Sequence, residues 1–462
     1  MSLHLYNTLT QKKEPFKPLK AGEVSIYVCG VTLYDDIHIG HLKSIVAFEV
    51  IRNYFELKGN EVTFVRNITD VDDKIIAKAD KIGVNPLDLV NGYIETFHAL
   101  LEQLGIRPPT VEPRVTEYLE EIGQYINELK EKGFAYESED GVYFNTQRNP
   151  VERYPLSKKI LKDLESNTRL ADQDYAKHHK ADFALWKEDK KYGYQNAVFA
   201  KQGRPGWHIE CSVMHHHTLG EHFDIHGGGR DLIFPHHENE ILQSEAHNGV
   251  NPAHYWIHNG MMTKDGKKLS KSLGNSIYVK DIIEKYSPEA LKLFLNKGQY
   301  NQSQEYKEDE LKEAHLRWEN FVSEIPSYTA DNNSDSVVSL LDDVLVALED
   351  DFNTPQAVSV LYSALKELKA TKSQALANDV LKVLKLLSVV KSDDTLNSLF
   401  EKWSEAQKEK VIPQEILTLV EQRAEAKKNK DFSLADELRN QVNALGWNVK
   451  DVPGGYEVEE IL

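Results

Sequence analysis

The sequence predicts an α/β protein with a doubly wound, Rossmann-like domain that carries an insertion and is followed by helices. Residues 24–29 and 61–67 are apolar runs typical of buried strands, and the segment 40–57 between them has apolar residues at helical spacing. A strand, a helix and a strand in this order begin a parallel sheet with a right-handed crossover. After about residue 300 glycines become rare and helical spacing prevails, which predicts an α-helical bundle.

The predicted organisation divides the 462 residues into five parts. Residues 223–225 and 255–258 are expected to be later strands of the first sheet. Between the two halves of that sheet lie a predicted helix near 115–132 and a Tyr/Phe-rich hairpin near 134–145, which form an insertion. The parts are 1–112 and 201–300 for the Rossmann-like domain, 113–200 for the inserted connective region, 301–402 for the helical bundle, and 403–462 for a small C-terminal α+β tail.

Composition and charge narrow the class of protein. Hydrophobic residues make up 40% and charged residues 28% of the chain, which is ordinary for a globular protein. No apolar run reaches membrane-spanning length, the N-terminus lacks a signal-peptide pattern, and the chain has only two cysteines, so we expect a cytoplasmic protein with no membrane partner. The net charge of −18 argues against a general nucleic-acid-coating protein but allows a local basic surface.

Two separated segments predict a site that handles ATP. The first is the turn His38-Ile-Gly40-His41, where a strand and a helix start let backbone N–H groups meet phosphate. His38 and His41 can donate hydrogen bonds to a developing pyrophosphate, and Gly40 has no side chain to obstruct a nucleotide. The second segment carries Lys268 and Lys271 between glycine-bearing turns, and it would bring positive charge to the same phosphates. A charge run alone is usually a solvated surface, so the prediction depends on both segments.

A second pattern predicts a metal site. The two cysteines are Cys29, beside the phosphate turn, and Cys211. Pro235 is expected to open a helix, on which His236 and Glu240 stand four residues apart and share one face. Two thiolates, an imidazole and a carboxylate form a plausible tetrahedral set for Zn²⁺, one ion per chain. The alternative is a pair of ordinary buried cysteines near a helix N-terminal histidine; the joint pattern favours the metal.

Three neighbouring features carry weaker predictions. His237 and Glu238 point elsewhere on the predicted helix and are second choices as ligands. The run 215–217 consists of three histidines, but consecutive residues cannot converge on one ion, so we expect local surface or packing. The glycines 227–229 follow a strand, and Gly228 is a candidate for close backbone approach to a nucleotide, although such a run can also be a tight bend.

These motifs resemble those of a known family. The segments 38–41 and 268–272 (Lys-Leu-Ser-Lys-Ser) are similar to the paired signatures of class I aminoacyl-tRNA synthetases, with Leu where Met is commoner. Three further strings, at 66–74, 203–211 and 223–240, look like those of cysteinyl-tRNA synthetases. The resemblance is specific from the N-terminus to about residue 300 and continues more weakly into the C-terminal helix pair.

The resemblance implies an activity and its substrates. Cysteine would react with ATP, accompanied by Mg²⁺, to give cysteinyl-adenylate and pyrophosphate, and cysteine would then pass to the 3′-terminal ribose of tRNA(Cys). The same likeness implies zinc ligands at Cys29, Cys211, His236 and Glu240, with the substrate thiolate bound to the metal. Since four protein ligands complete a tetrahedral site, the substrate would enter as a fifth ligand or displace Glu240.

The resemblance also implies residues around the amino acid and a platform for tRNA. The residues expected around the substrate cysteine are Thr32, Thr69, Trp207, His226 and Asp231. The helical bundle and the tail are the expected tRNA platform, the insertion is expected to face the acceptor end, and we expect a monomer. Two alternatives stay open: a ligase that acylates a small amine with activated cysteine, and a non-catalytic, zinc-stabilised RNA-binding module. The tail beyond residue 400 favours tRNA, and the His38–His41 turn disfavours simple binding.

Overall fold

The computed structural model describes most of the chain, in nine segments. They are residues 2–148, 153–160, 177–196, 202–269, 274–329, 340–409, 413–429, 431–452 and 455–460. The strands are β1 His4–Asn7, β2 Lys12–Pro15, β3 Glu23–Thr32, β4 Glu61–Thr69, β5 Ala135–Ser138, β6 Gly141–Phe144, β7 Phe183–Glu188, β8 Gly203–Pro205, β9 Phe223–Gly229, β10 Ala253–Asn259, β11 Met262–Lys264, β12 Lys267–Lys268, β13 Gln304–Glu305, β14 Trp447–Val452 and β15 Gly455–Glu460.

The helices fall into a group within the Rossmann-like domain and its insertion, and a group after it. The first group is α1 Ile39–Leu57, α2 Asp73–Ile82, α3 Pro86–Gln103, α4 Leu119–Glu131, α5 Trp207–Leu219, α6 Glu238–Asn248, α7 Val279–Ile283 and α8 Pro288–Asn296. The second group is α9 Glu308–Glu324, α10 Leu340–Leu348, α11 Thr354–Thr371, α12 Gln374–Leu386, α13 Leu396–Glu409, α14 Gln414–Lys428 and α15 Phe432–Ala444. None of the helices in the described ranges is long and apolar enough to cross a membrane.

The central sheet has the order β10-β9-β3-β4 with every neighbouring pair parallel. Ile26 of β3 lies opposite Phe64 of β4 on one side and Ile225 of β9 on the other. β4 lies on one side of β3 and β9 on the other, so the order of the strands along the chain reverses at β3. Doubly wound sheets bind ligands at such a point, in the crevice beyond the carboxyl ends of the strands. Cys29 and Gly30 lie on this part of β3. The predicted α/β fold, doubly wound with an insertion, is confirmed.

The insertion contributes a separate antiparallel sheet that leads directly into the ligand crevice. Its order is β5-β6-β7-β8, and the predicted hairpin near 134–145 is the pair β5–β6. This sheet shares a core with α4, in which Leu185 and Trp186 are fully buried. The sheet continues through β8 to Pro205, past the boundary predicted at residue 200, and α5 follows at Trp207. The insertion therefore sets the position of α5 and of Cys211 on it.

The helices after the Rossmann-like domain pack as a bundle onto its core, and a small unit follows. The apolar residues of α10, α11 and α12 belong to the same buried cluster as those of β3 and α1. The helix pair α14–α15 and the hairpin β14–β15 have a core of their own, made of Ile416, Val420, Val442 and Val449. The residue limits predicted for these two parts stay predictions.

Candidate active site

One cavity of about 500 Å³ lies at the carboxyl ends of the central strands, within the size range of small-molecule sites. It brings together most of the residues that the sequence singled out. Those lining it are Cys29, Thr32, His38, Gly40, His41, Thr69, Trp207, Cys211, Asp231, His236 and Lys268. His226, Gly228 and Glu240 lie behind the cavity wall, and Lys271 falls outside the described residues.

The four predicted metal ligands converge. Cys29 Sγ lies 3.6 Å from Cys211 Sγ, 3.5 Å from His236 Nε2 and 3.6 Å from Glu240 Oε1. His236 Nε2 lies 3.0 Å from Glu240 Oε1. Bonds of about 2.0–2.3 Å in a zinc tetrahedron place ligand atoms roughly 3.3–3.8 Å apart, so these separations fit one ion with little movement. A second group, in which His226 and His237 replace Cys211 and His236, also meets around Cys29 and Glu240.

The helical turn before α6 differs in detail from the prediction. Regular α-helix begins at Glu238 rather than at Pro235, because residues 233–237 form a wider turn in which Phe234 is extended. His236 nevertheless faces Glu240 one turn later, as the four-residue spacing predicted. The wider turn also directs the neighbouring His237 inward, where its Nε2 lies 3.3 Å from Cys29 Sγ.

Burial and mutual repulsion shift the acid–base properties of this cluster. Burial, together with Cys211 and Glu240, raises the pKa of Cys29 well above its usual range, and the hydrogen bond from Cys29 lowers the pKa of Cys211 to about 6. Burial lowers the pKa of His236, but Glu240 and Cys211 outweigh it and raise that pKa to about 10. Burial raises the pKa of Glu240, but His226 and His236 outweigh it and hold it well below its usual range. Three acidic groups thus share one buried space, which a divalent cation would neutralise.

Neighbouring side chains orient the candidate ligands. His226 Nε2 lies 2.8 Å from Glu240 Oε2, the oxygen that faces away from the cysteines. His208 Nδ1 lies 3.0 Å from His236 Nδ1, so one of these nitrogens donates to the other. Such contacts from behind set ring orientation and tautomer in metal sites. His226, predicted to contact the substrate, is fully buried and contacts Glu240 instead of lining the cavity.

The phosphate turn is built from its own two histidines. His38 is the N-cap of α1, and its Nδ1 accepts a hydrogen bond of 3.1 Å from the Gly40 amide. His41 Nδ1 in turn accepts from the His38 amide at 3.2 Å, and the two rings stack with centroids 3.7 Å apart. A Cβ at position 40 would lie 2.9 Å from the His38 ring, so this reciprocal capping requires glycine. Both rings are thereby fixed at the N-terminus of a helix, where anions bind.

The lysine segment lies close to this turn. The segment after it is attached to the turn, since Ile39 N donates to Ile277 O at 2.9 Å. Lys268, at the end of β12, forms an ion pair of 3.1 Å with Asp231, and both side chains are about half exposed. Asp231 therefore borders the cavity from the side of β9 while contacting the lysine predicted to bind phosphate.

Thr32, Thr69 and Trp207 line the crevice. Thr32 and Thr69 are directly opposite each other at the carboxyl ends of β3 and β4. Trp207, the first residue of α5, is 38% exposed and stacks over His236 with ring centroids 4.4 Å apart, so it forms part of the cavity wall and is not buried in the core. Gly228 lies against His237: a Cβ there would be 2.9 Å from the imidazole, so the histidine accounts for this glycine without a nucleotide.

The sequence reasoning missed Asn67 and His208. Asn67 Oδ1 accepts from the Gly30 amide at 2.8 Å, and a Cβ on Gly30 would lie 1.6 Å from the Asn67 carbonyl oxygen, so β3 and β4 approach closely beside Cys29. A signal for both residues was available. Asn67 shares a strand face with Thr69, and His208 stands three residues before Cys211 and so shares a helix face with it.

Comparison with known proteins identifies the family. Residues 15–316 match the profile described as tRNA synthetases class I (C) catalytic domain. A cysteine–tRNA ligase of Caldicellulosiruptor saccharolyticus is 41% identical over 99% of this chain and 100% of the relative. The chain belongs to the cysteine–tRNA ligase family. The resemblance seen in the sequence motifs is confirmed.

Further matches cover the rest of the chain. Residues 344–392 match a DALR domain, and residues 409–458 match a cysteinyl-tRNA ligase anticodon binding domain. Two other members of the cysteine–tRNA ligase family are similar to the chain over almost its full length. They come from Pyrococcus horikoshii, 40% identical over 98% of both chains, and from Legionella pneumophila strain Paris, 41% identical over 97% of both.

Solved structures agree on the fold. Mycobacterium tuberculosis methionyl-tRNA synthetase in complex with methionyl-adenylate has a TM-score of 0.54 at 14% identity, covering 79% of this chain and 89% of that one. The Agrobacterium radiobacter K84 agnB2 LeuRS ternary complex has a TM-score of 0.57 at 11% identity, covering 84% and 86%. At these identities the likeness concerns architecture alone.

Proposed function

We propose that this protein is a cysteine–tRNA ligase. It activates cysteine with ATP and Mg²⁺ to cysteinyl-adenylate, releases pyrophosphate, and transfers cysteine to the 3′-terminal ribose of tRNA(Cys). Family membership at about 40% identity over nearly the whole chain supports this activity. The observation that carries the proposal is that one cavity joins Cys29, Cys211 and His236 to the His38–His41 turn, so a thiol and a triphosphate can meet in it.

The amino-acid end of the cavity would select cysteine through a metal. Cys29, Cys211, His236 and Glu240 would hold Zn²⁺. This role is supported by the distances of 3.5–3.6 Å from Cys29 Sγ to the other three and of 3.0 Å between His236 and Glu240. When bound, zinc supplies a soft Lewis acid that favours a thiolate strongly over a serine hydroxyl. A site that depends on one specific bond rejects the analogue lacking it by roughly 10⁴–10⁵, which makes a separate editing domain unnecessary.

The rest of the amino acid would be held by other residues that line the crevice. The hydroxyls of Thr32 and Thr69 and the carboxylate of Asp231 border the same cavity, so they can orient the α-amino and carboxylate groups. Trp207 stacks over His236 and limits access from solvent. His226 acts on the substrate indirectly, because its 2.8 Å contact orients Glu240.

The nucleotide end would stabilise the leaving pyrophosphate. The carboxylate of cysteine attacks the α-phosphate of ATP in line, and negative charge develops on the departing phosphates. His38, His41, Lys268 and Lys271 would supply hydrogen-bond donors and positive charge there, and none of them needs to act as a base. Gly40 leaves the N-terminus of α1 open to the nucleotide. The ion pair between Lys268 and Asp231 must loosen for Lys268 to reach phosphate.

The C-terminal unit would bind the anticodon side of tRNA(Cys). Arg423 is buried and bonds both carboxylate oxygens of Asp451 at 3.0 Å, which fixes α14 against the hairpin β14–β15. Phe432, at the start of α15, is 61% exposed and can stack on a base. A ligase that acylates a small amine would not need this C-terminal unit, so its presence disfavours that alternative. A protein that only binds RNA would not need the His38–His41 turn, so the turn disfavours the other alternative. A monomer in the cytoplasm stays our expectation.

The test is amino-acid-dependent exchange of labelled pyrophosphate into ATP, with cysteine and serine assayed side by side. We expect exchange with cysteine, at least about 10⁴-fold less with serine, and loss of the cysteine reaction after zinc chelation that zinc restores. Charging of tRNA(Cys) is measured on the same preparation. Cysteine exchange that survives complete removal of metal would contradict the zinc role, and exchange without charging would contradict the tRNA step.

A further inference from the structure

A continuous series of hydrogen bonds runs behind Cys29 and connects it to the amino-terminal segment. Thr8 Oγ1 lies 2.8 Å from His258 Nδ1, and His258 Nε2 lies 2.7 Å from His237 Nδ1. His237 Nε2 then lies 3.3 Å from Cys29 Sγ. Thr8, His258 and His237 are 8%, 4% and 0% exposed, so bulk water does not interrupt the series. Each contact is thus a hydrogen bond between two protein groups that are shielded from solvent.

The members of this series are held in place by different elements. Thr8 follows β1, and its amide donates to Trp256 O of β10 at 2.9 Å, while the Trp256 amide donates to Asn7 Oδ1 at 3.0 Å. These backbone bonds fix the Thr8 hydroxyl beside His258, which lies on the same strand β10. His237 comes from the wide turn before α6. The Thr8 end of the series is therefore held in place by backbone hydrogen bonds to the central sheet.

The number of hydrogens available determines which group donates and which accepts in each hydrogen bond of the series. Each nitrogen–nitrogen or oxygen–nitrogen contact holds one hydrogen, so the state of one end determines all the others. A metal-binding thiolate at Cys29 has no hydrogen, so in the set that leaves His237 off the metal, His237 Nε2 donates to that sulfur. Neutral His237 consequently accepts at Nδ1 from His258 Nε2–H, and His258 Nδ1 accepts from the Thr8 hydroxyl. Thr8 is the terminal donor.

We propose that Thr8, His258 and His237 form a relay that directs one N–H onto the sulfur of Cys29 and holds that sulfur as a metal-binding thiolate. This inference rests on the metal site of the proposed function. It makes His237 a positioning residue and not a metal ligand, and so it selects the set with Cys211 and His236 over the set with His226 and His237. In that other set His237 Nε2 would present a lone pair to the ion, and the relay would run in the reverse direction.

The distances support this choice. His237 Nε2 is 3.3 Å from Cys29 Sγ, within hydrogen-bond range of sulfur, but 4.0 Å from Glu240 Oε1. His236 Nε2 lies nearer to Glu240 Oε1, at 3.0 Å, and still 3.5 Å from Cys29 Sγ. His236 Nε2 thus lies close to both Cys29 Sγ and Glu240 Oε1, whereas His237 Nε2 lies close to Cys29 Sγ alone. Groups in this position typically change metal affinity by about 10–100-fold when removed.

The first test replaces the terminal donor. Thr8→Val keeps the shape of the side chain and removes its O–H, Thr8→Ser restores the O–H, and Thr10→Val removes a hydroxyl from the exposed part of the same hairpin. The full-length protein is loaded with Co²⁺, which replaces Zn²⁺ and has a thiolate-to-metal charge-transfer band. We expect Thr8→Val to weaken metal binding about 10–100-fold, to shift the band to longer wavelength and to raise KM for cysteine more than it changes kcat. Thr8→Ser and Thr10→Val should match the parent protein.

The second test replaces the donor to sulfur. His237→Gln keeps an N–H donor and His237→Ala does not, so Gln should retain metal binding within about tenfold while Ala loses about 10–100-fold. Equal loss in both variants, or X-ray absorption of the zinc protein showing one sulfur ligand where two are expected, overturns the relay. If Thr8→Val does not fold, as judged by circular dichroism, the His237 pair decides. An unchanged metal affinity and band in folded Thr8→Val also overturns it.

The relay and the proposed function fail in different ways. If the parent protein shows no cysteine-dependent pyrophosphate exchange but Thr8→Val still shifts the cobalt band, the activity is wrong and the relay stands. If exchange is normal and Thr8→Val behaves as the parent, the activity stands and the relay is wrong.

Discussion

The two walls of the active-site cavity differ in their exposure to solvent. On the wall proposed to bind metal, Cys211 is 3% and His236 1% exposed, and their partner Glu240 is fully buried. On the wall proposed to bind phosphate, the side chain of Lys268 is 47% exposed, and Asp231, which pairs with it from between the two walls, is 54% exposed. A buried wall keeps its donor atoms in one arrangement, which a choice between thiol and hydroxyl requires. An open wall lets charges approach and leave a nucleotide, which turnover requires.

The same difference appears in how charges are compensated. In the buried wall each group has a close protein partner, as Glu240 has in His226 and His236, because an unpaired buried charge is very costly. At the open wall Lys268 has only its exposed ion pair with Asp231, and this pair is weak, since exposed ion pairs contribute about 0–1 kcal/mol. Substitutions in the two walls should therefore separate amino-acid selection from phosphate chemistry.

The largest effect is expected in the buried wall, from Cys211→Ser. Serine offers a poor zinc ligand, so we expect metal affinity to fall by more than about 100-fold, beyond the loss typical of groups that only support a ligand. Cysteine-dependent pyrophosphate exchange should fall with it. Metal content by elemental analysis and the exchange rate measure the two effects.

Met214→Leu is the control for this variant, since Met214 is buried on the same helix α5 and the exchange conserves volume. It should retain both metal and activity. Full metal content in Cys211→Ser would show that Cys211 does not hold the metal and would contradict the proposed metal-binding wall.

A smaller effect, confined to the phosphate wall, is expected from Lys271→Ala. Removing one charge that stabilises the leaving pyrophosphate should lower the exchange rate about 10²–10³-fold. Metal content should stay at one ion per chain, because Lys271 is not one of the four residues proposed to hold the metal.

Lys267→Ala serves as its control, because Lys267 is exposed on β12 and does not line the cavity. It should change the exchange rate by less than about threefold, in line with an exposed charge. If Lys271→Ala leaves the exchange rate unchanged, the role given to this segment is refuted.

The smallest of the three effects is expected from Asp231→Asn, which lies between the walls. A charge-assisted hydrogen bond to the α-amino group contributes about 1.5–3 kcal/mol, and the exposure of Asp231 places the loss near the lower end, about a tenfold rise in KM for cysteine. KM for ATP should change less, because the ion pair with Lys268 is exposed. Steady-state exchange kinetics with each substrate varied separate the two constants.

Asp265→Asn removes the same charge from the exposed turn before β12 and should leave both constants unchanged. A larger rise in KM for ATP than for cysteine in Asp231→Asn would reassign this carboxylate to the phosphate wall.

Local patterns predicted much of this molecule. The spacing of apolar residues predicted β3, α1 and β4, because helical and strand periodicities depend on residues close in sequence. The four-residue spacing of His236 and Glu240 predicted that these side chains face each other, and they do so at 3.0 Å. Cys211 was predicted beside Cys29 because the two thiols, with His236 and Glu240, form a set typical of zinc, and the family resemblance implied the same set, although 182 positions separate the two cysteines in sequence.

Long-range partners were beyond those patterns. The sequence suggested His226 as a substrate contact and Gly228 as a nucleotide contact, but both lie behind the cavity wall, against Glu240 and His237. Their surroundings come from three separate elements, and no local periodicity encodes how these meet.

The sequence by itself determined the fold class, the two active-site segments and the family. Only the tertiary structure decided what each of the adjacent histidines 236 and 237 faces: the first faces Glu240, and the second faces the sulfur of Cys29 and connects through His258 to Thr8. The physical reason is the wide turn at 233–237, which departs from helical geometry and so redirects a side chain that helical spacing would point elsewhere.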